Sequence, residues 1–344
     1  MKAVVLTGIA QMKITDVPDP VIEKDTDVLL KIEKVGVCGS DVHYYKNGKI
    51  GSQVVRYPYL VGHECSATVV EVGSSVQNIK VGDEVVVEPA VSCHQCPQCK
   101  MGRENTCYNL TFLGTPGQGD GCMSEYMVMP QDNCMVINGR ITLDQAALCE
   151  PFAIGVYAVK QSGLLQDNTI AILGSGPIGL SCMAAARAKR AGAIYMTDRL
   201  DYRAKIAKQA GATWAGNPDL QDVVTDILGR EKLGVDIAYE CAGQQETIDQ
   251  CVELLRPGGT LVLVGIPQLD RISLTIEKIR RKEIAIVNIR RQNNCTVEAI
   301  EMIASGAADI DFMITHRFDF TQSKQAFEMV SDYSDNVVKA IIEF

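Results

Sequence analysis

Four cysteines lie within one short segment of the chain, CHQCPQCKMGRENTC. The first three follow one another at intervals of three residues, and the fourth comes eight residues after the third: Cys93, Cys96, Cys99 and Cys107. A loop with this spacing can fold four thiolates around one tetrahedral ion, with zinc–sulfur distances of about 2.3 Å. Four thiolates leave no coordination position for a substrate, so the spacing predicts a structural site. Zinc is the expected ion, and iron is the main alternative.

The composition favours metal binding over disulfides at this loop. The chain has 344 residues and 13 cysteines, whereas secreted proteins that depend on disulfides are usually short and use an even set. The N-terminal residues contain no apolar segment of signal-peptide length, and no apolar run reaches about 18 residues. We therefore expect a soluble cytoplasmic protein with reduced thiols. The net charge of −9 argues against nucleic acid or a membrane surface as a partner, because both attract basic proteins.

A glycine-rich turn near the middle of the chain has the pattern that binds the pyrophosphate of a dinucleotide. The apolar run 169–173 predicts a buried strand before the turn, and an alanine-rich stretch predicts a helix after it. Gly174 permits a tight turn, Gly176 lets the backbone approach a pyrophosphate, and Gly179 allows helix and strand to pack closely. The helix N-terminus, with its unpaired N–H groups and its dipole, would then bind the anion.

An acidic residue after the next predicted strand indicates which dinucleotide binds. Asp198 follows the strand-like run 193–197 and can accept hydrogen bonds from the ribose hydroxyls of adenosine. Its charge would repel a 2′-phosphate, which favours NAD over NADP, although the neighbouring Arg199 could accommodate that phosphate. Further strand-like runs at 234–243 and 258–266 alternate with helical patterns. The predicted fold class is therefore α/β, with a doubly wound parallel sheet in this part of the chain.

Residues with metal-ligating side chains also follow strand-like runs within the first 150 residues, whose pattern is mainly β. Cys38 precedes a turn, and His63 is directly followed by Glu64. Cysteine, histidine and carboxylate suit a zinc ion that keeps one position open for a substrate. Taken singly, Cys38 would also be explained as a small buried side chain and His63 as a core histidine. Their combination with the cysteine loop and the dinucleotide pattern favours a catalytic site.

Together these motifs resemble the zinc-containing medium-chain dehydrogenases, and among them the polyol branch typified by sorbitol and xylitol dehydrogenases. The resemblance covers essentially the whole chain. It rests on GVCGSDVHYY (36–45), GHE (62–64), the cysteine loop, ALCEPFAIGVYA (147–158), GSGPIG (174–179) and THRF (315–318). It implies a GroES-like, β-rich catalytic domain of residues 1–152 and 287–344, and a Rossmann domain of residues 153–286. Ala67 departs from the glycine usual in the family, but a small residue still fits there.

The resemblance also implies the ligands of a catalytic zinc. Cys38 and His63 would bind the ion, and Glu64 and Glu150 are both candidates for a further ligand, directly or through water. Glu150 stands where the alcohol-dehydrogenase branch commonly has a cysteine, and a glutamate there marks the polyol branch. Ser40 is placed to start a proton relay from the substrate hydroxyl.

Substrate and cofactor contacts follow from the same resemblance. Tyr44 should contact the polyol, with Arg290 close by. The residues expected to line NAD are Gly174, Gly176, Ile178, Gly179, Asp198, Arg203, Val264, Gly265, Ile266, Ile289, Arg290 and Arg291. We further expect a homo-oligomer, either a dimer or a tetramer.

The expected activity is oxidation of a sugar alcohol such as sorbitol or xylitol to a ketose, with NAD as the hydride acceptor. Arg291 stands where the polyol enzymes often have an aromatic residue, and arginine pairs bidentately with carboxylate or phosphate. A hexonate or a polyol phosphate is therefore an alternative substrate, unless Arg291 binds the cofactor or a neighbouring subunit. A zinc-stabilised dinucleotide-binding protein without catalysis is a lesser alternative, because the expected zinc ligands are all present.

Overall fold

The computed structural model describes residues 1–267 and 271–344, and these residues form two compact units. The first unit comprises Met1–Glu150, Thr296–Ala304 and Ile314–Phe344. The second comprises Pro151–Cys295 and Ser305–Met313. The chain thus leaves the first unit at Glu150 and later supplies it with two more segments. The boundaries of the two predicted domains, 152/153 and 286/287, stay a prediction.

The first part of the chain is rich in short strands. Its strands are β1 Lys2–Gly8, β2 Gln11–Asp16, β3 Asp27–Gly36, β4 Lys49–Ile50, β5 Gln53–Val54, β6 Tyr59–Leu60, β7 Glu64–Val72, β8 Glu84–Val87, β9 Ala90–Val91, β10 Thr111–Phe112, β11 Tyr126–Pro130 and β12 Cys134–Val136. Its helices are α1 Gly39–Asn47, α2 Pro97–Lys100 and the start of α3 Leu143–Gln161, with 3₁₀ turns at Glu104–Thr106 and Gln131–Asn133.

Strands and helices alternate in the second part of the chain. The strands are β13 Ile170–Leu173, β14 Ile194–Thr197, β15 Trp214–Gly216, β16 Val235–Glu240, β17 Leu255–Leu263 and β18 Ala285–Asn288. The helices are α4 Pro177–Ala188, α5 Asp201–Gln209, α6 Val223–Arg230, α7 Gln245–Leu254 and α8 Ile276–Lys282. The last part of the chain contains α9 Thr296–Ala304, β19 Ile314–Asp319, α10 Ser323–Asp332 and β20 Lys339–Glu343, with 3₁₀ turns at Asp311–Met313, Phe320–Gln322 and Ser334–Asn336. Within the described residues, none of the helices has both the length and the apolar character needed to cross a membrane.

A seven-stranded sheet forms the centre of the first unit. Its strand order is β12-β8-β7-β3-β20-β19, and β11 also pairs with β3. Strand β20, near the C-terminus, pairs antiparallel with β3, so that Ile342 lies opposite Val35. The buried side chains of Leu30, Ile32, Val35 and Ile342 pack in one core, and each such burial is worth roughly 1.5–3 kcal/mol. The predicted GroES-like, β-rich fold is confirmed.

The second unit is built on a six-stranded parallel sheet with the order β15-β14-β13-β16-β17-β18. Strand β13 is fully buried along its length, as expected for a parallel sheet covered on both faces. Starting at the central strand β13, the chain first adds β14 and β15 on one side of it. It then returns to the other side of β13 and adds β16, β17 and β18 in turn. This reversal places a crevice at the carboxyl ends of β13 and β16, where doubly wound sheets bind their ligands. The predicted Rossmann-like class is confirmed.

Candidate active site and cofactor site

The four-cysteine loop brings its sulfur atoms into one tight cluster. The Sγ of Cys96 lies 3.5 Å from that of Cys99 and 3.8 Å from that of Cys107, and the Sγ atoms of Cys107 and Cys93 are 3.4 Å apart. Four sulfurs at about 2.3 Å from a central zinc would be separated by about 3.8 Å, so this loop fits a tetrahedral zinc site. Backbone N–H groups, foremost that of Gln95, lower the pKa of Cys93 to about 6, which favours the thiolate that a metal requires.

Cys38 lies at the junction of β3 and α1. Its backbone is still extended, and the residue forms the N-cap of α1. The hydroxyl of Ser40, in the first turn of α1, donates a hydrogen bond to the Cys38 Sγ at 3.3 Å. The two residues that the sequence analysis placed in the site are therefore in direct contact.

His63 is buried in the turn between β6 and β7, next to a buried carboxylate. The Oδ1 of Asp41 lies 3.3 Å from the His63 Nδ1 and accepts a hydrogen bond from the Gly62 N–H at 3.2 Å. Burial disfavours the charged imidazole, but the negative charges of Asp41 and Cys38 outweigh it and raise the pKa of His63. Because Nδ1 faces Asp41, Nε2 is the nitrogen left for a metal. The sequence analysis missed Asp41, although an aspartate three residues after Cys38 in a buried helix turn was a visible signal.

Glu64, the first residue of β7, forms a buried ion pair with Lys339, the first residue of β20. The Lys339 Nζ lies 2.8 Å from Oε1 and 2.7 Å from Oε2 of Glu64, and it also donates to the Val37 carbonyl at 3.2 Å. The two side chains are only 2% and 1% exposed. The sequence analysis missed Lys339 as well. Its signal was a single lysine inside the apolar run VVKAII, which forms a buried strand.

Cys38, His63 and Glu64 form one cluster of metal-ligating groups, with their ligand atoms all within 4.8 Å of one another. Thiolate, imidazole and carboxylate are a donor set that binds zinc, so the residues fit the metal implied by the sequence. Glu150, in α3, is buried in the same unit but does not belong to this group. Burial raises its pKa to about 8, and the nearby charge of His63 partly offsets that effect. Which carboxylate binds the metal stays a prediction.

Tyr44 lies on α1, the helix that begins after Cys38, and is 3% exposed. Its hydroxyl donates to the Gln53 Oε1 at 2.9 Å, and its ring packs edge-on against that of Tyr59. These contacts fix the orientation of the Tyr44 ring. Its predicted contact with a polyol, and the proximity of Arg290 to that polyol, stay predictions.

In the second unit, the glycine turn between β13 and α4 has the geometry of a phosphate-binding loop. Gly174 has a φ of +104°, and a Cβ on Gly179 would lie 1.8 Å from the Gly174 carbonyl oxygen. Gly176 is the N-cap of α4 and has no side chain to cap the N–H groups of the first turn. The Nη1 of Arg203 lies 3.3 Å from the position of a Cβ on Gly176. An arginine therefore stands beside the expected pyrophosphate position.

Asp198 lies directly after β14 and is held by backbone N–H groups on both sides. Its Oδ2 accepts a hydrogen bond from the Ser175 N–H at 2.8 Å, and its Oδ1 accepts one from the Leu200 N–H at 2.9 Å. The neighbouring Arg199 instead forms an exposed ion pair with Asp219, with Nε–Oδ distances of 2.8 and 3.1 Å. Asp198 is thus fixed beside the glycine turn, while Arg199 is paired with another carboxylate.

The remaining predicted cofactor residues follow the carboxyl ends of neighbouring strands of the same sheet. Val264, Gly265 and Ile266 come after β17, and the N–H groups of the first two donate to the Glu240 carbonyl at 2.9 Å. Further residues lie in the first turn of α4 or after β18: Ile178, Ile289, Arg290 and Arg291. Because parallel strands end at one edge of the sheet, all of these residues lie along the edge that carries Gly174 and Asp198.

Both parts of the chain match known protein families. Residues 24–139 match the alcohol dehydrogenase GroES-like domain, and residues 177–305 match the zinc-binding dehydrogenase family. A sorbitol dehydrogenase of Bacillus subtilis (strain 168) is 40% identical over 343 residues, which cover 99% of this chain and 97% of the relative. An L-idonate 5-dehydrogenase of Vitis vinifera is 35% identical over 322 residues, which cover 92% of this chain and 87% of the relative.

Solved structures show the same fold. An oxidoreductase of unknown specificity from Escherichia coli has a TM-score of 0.94 and 32% identity, covering 99% of this chain and 98% of its own. A zinc-binding dehydrogenase of Sinorhizobium meliloti 1021 bound to NADP has a TM-score of 0.90 and 32% identity, and the match covers 100% of this chain and 99% of that one. An alcohol dehydrogenase of Escherichia coli CFT073 complexed with NADH has a TM-score of 0.90 and 28% identity, and the match covers 100% of this chain and 99% of that one. With both parts matched and relatives aligned over nearly its whole length, the chain belongs to the zinc-binding medium-chain alcohol and polyol dehydrogenases.

Proposed function

We propose that this protein oxidises a secondary alcohol of a neutral sugar alcohol, such as sorbitol or xylitol, to the ketose with NAD. The observation that carries the proposal is the cluster of Cys38, His63 and Glu64, of which His63 and Glu64 are buried, in a chain 40% identical to a sorbitol dehydrogenase. A non-catalytic dinucleotide-binding protein would have no need to keep three different metal-ligating groups together.

The residues of the first unit would hold the metal and move the substrate proton. A zinc ion would be held by Cys38, His63 and one of the carboxylates Glu64 and Glu150, and it would supply a Lewis acid that makes the substrate hydroxyl more acidic. Ser40 takes the proton of that hydroxyl at its Oγ and passes its own proton on toward solvent. Its contact with the Cys38 Sγ supports this role because it keeps the serine hydroxyl beside a metal ligand. Asp41 holds His63 in one orientation.

The residues of the second unit would bind NAD, which accepts the hydride from the carbinol carbon. The N–H groups at the start of α4 and Arg203 bind the pyrophosphate, and Asp198 accepts hydrogen bonds from the adenosine ribose. NAD is favoured over NADP because the fixed carboxylate of Asp198 repels a 2′-phosphate. The pairing of Arg199 with Asp219 supports the same preference, since it engages a neighbouring cation that could offset this repulsion.

An anionic sugar derivative is the second candidate substrate. The two consecutive arginines after β18, Arg290 and Arg291, offer guanidinium groups that bind carboxylate or phosphate. A relative at 35% identity is an L-idonate 5-dehydrogenase, whose substrate is a sugar acid. The neutral polyol stays the preferred substrate class because the relative at 40% identity is a sorbitol dehydrogenase.

A substrate panel tests the proposal. The zinc-loaded protein is incubated with NAD and, in separate reactions, with polyols, aldonates and polyol phosphates, while NADH absorbance is followed. We expect the highest kcat/KM with a neutral polyol and no turnover in the His63→Ala variant. Absence of turnover with every member of the panel would refute the dehydrogenase activity, and preference for aldonates or phosphates would replace the substrate class. Size-exclusion chromatography of the same sample tests the predicted dimer or tetramer.

A further inference from the structure

Lys339 is the only buried lysine or arginine in the part of the chain that the structure describes. Transfer of an ammonium group from water to a protein interior is costly unless its charge and its hydrogen bonds are satisfied. All three of its N–H groups have acceptors within 3.2 Å: the two carboxylate oxygens of Glu64 and the carbonyl of Val37. Val37 directly precedes Cys38, so the lysine lies against the backbone of the proposed metal site.

The charges around Lys339 come from the proposed metal-binding residues. Burial has the largest effect on Lys339 and disfavours its charged form, but the interactions with Glu64, then Cys38 and Glu150, favour it and raise the pKa of the lysine. A metal ion bound to the cluster of Cys38, His63 and Glu64 would therefore meet a carboxylate whose two oxygens are already engaged by a fixed cation. The lysine and the metal are two cations that serve the same buried anion.

We propose that Lys339 competes with the catalytic metal for Glu64 and thereby limits how tightly the site holds its metal. Lys339 is a positioning residue, and this role rests on the zinc site of the proposed function. A Glu64 carboxylate held by Lys339 is a weak and displaceable ligand, which keeps a coordination position accessible to a substrate hydroxyl. Without the lysine, Glu64 would have the metal as its only counter-ion and would bind it more firmly.

The expected effect of Lys339 on metal binding is opposite to that of a residue that orients a metal ligand. Loss of a group that orients a metal ligand typically weakens metal binding by about 10- to 100-fold. Loss of Lys339 should have the opposite effect, because it removes a positive charge and releases an anionic ligand. We therefore expect Lys339→Met to release its catalytic zinc at least about tenfold more slowly than the wild type, a change in the opposite direction to that usual effect.

The experiment measures zinc release from the intact, zinc-loaded protein to a chromophoric chelator. The protein has two proposed zinc sites, so the catalytic phase is identified as the one that is absent in His63→Ala. Thermal unfolding of the zinc-loaded and the chelated protein is recorded alongside. In Lys339→Met the gap between the two melting temperatures should widen, because metal-free protein retains the buried Glu64 without a cation. The matched control is Lys34→Met, which removes a partly exposed ion pair with Glu343 in the same sheet and should leave both readouts unchanged.

A second background separates competition for Glu64 from a general effect of charge. In Glu64→Gln, addition of Lys339→Met should change the release rate by less than about threefold, within the usual context dependence of such effects. The inference would be overturned if Lys339→Met released its catalytic zinc as fast as the wild type or faster. It would also be overturned if Lys339→Met slowed zinc release by the full factor in the Glu64→Gln background. If Lys339→Met is insoluble, Lys339→Gln is measured with the same criteria. Failure of the proposed function is recognised separately, because the wild type would then show no His63-dependent zinc phase or no turnover.

Discussion

Removal of the Asp198 carboxylate should weaken NAD binding selectively. In Asp198→Ala the adenosine ribose loses its acceptor, and a hydrogen bond to a charged group is worth about 1.5–3 kcal/mol. At about 1.4 kcal/mol per tenfold change, the KM for NAD should rise by about 10- to 100-fold. The affinity for NADP should fall only a little or should rise, because a carboxylate that repels its 2′-phosphate has been removed. The ratio of kcat/KM for NAD to that for NADP should therefore fall by at least the same factor.

The structure shows that this substitution also affects the glycine turn. The Ser175 and Leu200 N–H groups each donate to Asp198, and both lose that acceptor in the alanine variant. Asp198→Asn is the matched control, because its amide retains one oxygen acceptor and lacks the charge. If Asn restores NAD affinity in part while NADP discrimination stays low, the acceptor and the charge contribute separately.

The assay combines kinetics with direct binding. Trp214, in β15 next to β14, is the only tryptophan of the chain, so energy transfer from Trp214 to NADH reports binding within the second unit. Zinc content should be the same in all variants, because Asp198 lies in the other unit from the metal cluster. A wild type that already prefers NADP, or an Asp198→Ala variant with an unchanged NAD/NADP ratio, would refute the assignment of Asp198.

Other predictions concern the metal sites. Cys99→Ser opens the closed sulfur cluster and should lower the melting temperature and soluble yield far more than it alters the kinetics of the remaining folded enzyme; equal stability, or absence of metal in this loop by mass spectrometry, would contradict it. Cys38→Ser and His63→Ala should lose the catalytic metal and nearly all turnover while NAD titration stays close to wild type, and full activity in metal-free protein would refute the zinc mechanism. If Glu150 acts on the metal through water, Glu150→Ala should lower kcat by about 10- to 100-fold and should retain part of the metal. Metal analysis and kinetics on the same sample check this. In chelated protein the pKa of Glu150, raised by burial from 4.5 to about 8, means that the folded state binds more protons than the unfolded state in this range. Its contribution to stability is therefore fully present below pH 4.5 and is lost as the pH rises through about 8, and Glu150→Gln should flatten that slope in denaturant titrations.

The parts of the fold that sequence predicted well are those set by local pattern. The strand expected at 169–173 is β13, Ile170–Leu173, because a short apolar run bounded by a glycine turn leaves few alternatives. The cysteine loop could be predicted for the same reason, since its four ligands lie on one short stretch whose spacing already restricts the geometry. The position of Asp198 beside the glycine turn could be predicted because the lengths of one helix and one strand fix it, while its role toward NAD stays a prediction.

The residues that sequence analysis missed belong to contacts between distant parts of the chain. Lys339 and Glu64 are 275 residues apart, and they meet because β20 and β7 both pair with β3. No periodicity in either segment carries that information. Asp41 is nearer to its partner, but its role depends on the turn that brings His63 against α1. A charged residue inside an otherwise apolar strand indicates that a partner for its charge exists, but the sequence does not show which residue that partner is.

The two metal-binding clusters therefore depend on the fold to very different extents. In the cysteine loop, all four ligands and the N–H groups that contact the Cys107 sulfur lie within the single segment 93–109, so binding needs little beyond the loop itself. The cluster of Cys38, His63 and Glu64 needs β3, β7 and the C-terminal strand to be paired before Lys339 can neutralise its carboxylate. The ligands of the cysteine cluster lie on one short segment, whereas the cluster of Cys38, His63 and Glu64 draws a neutralising charge from a distant strand. Lys339 supplies that charge here, which is why the last strand of the chain contributes to a site whose ligands precede it by more than half the sequence.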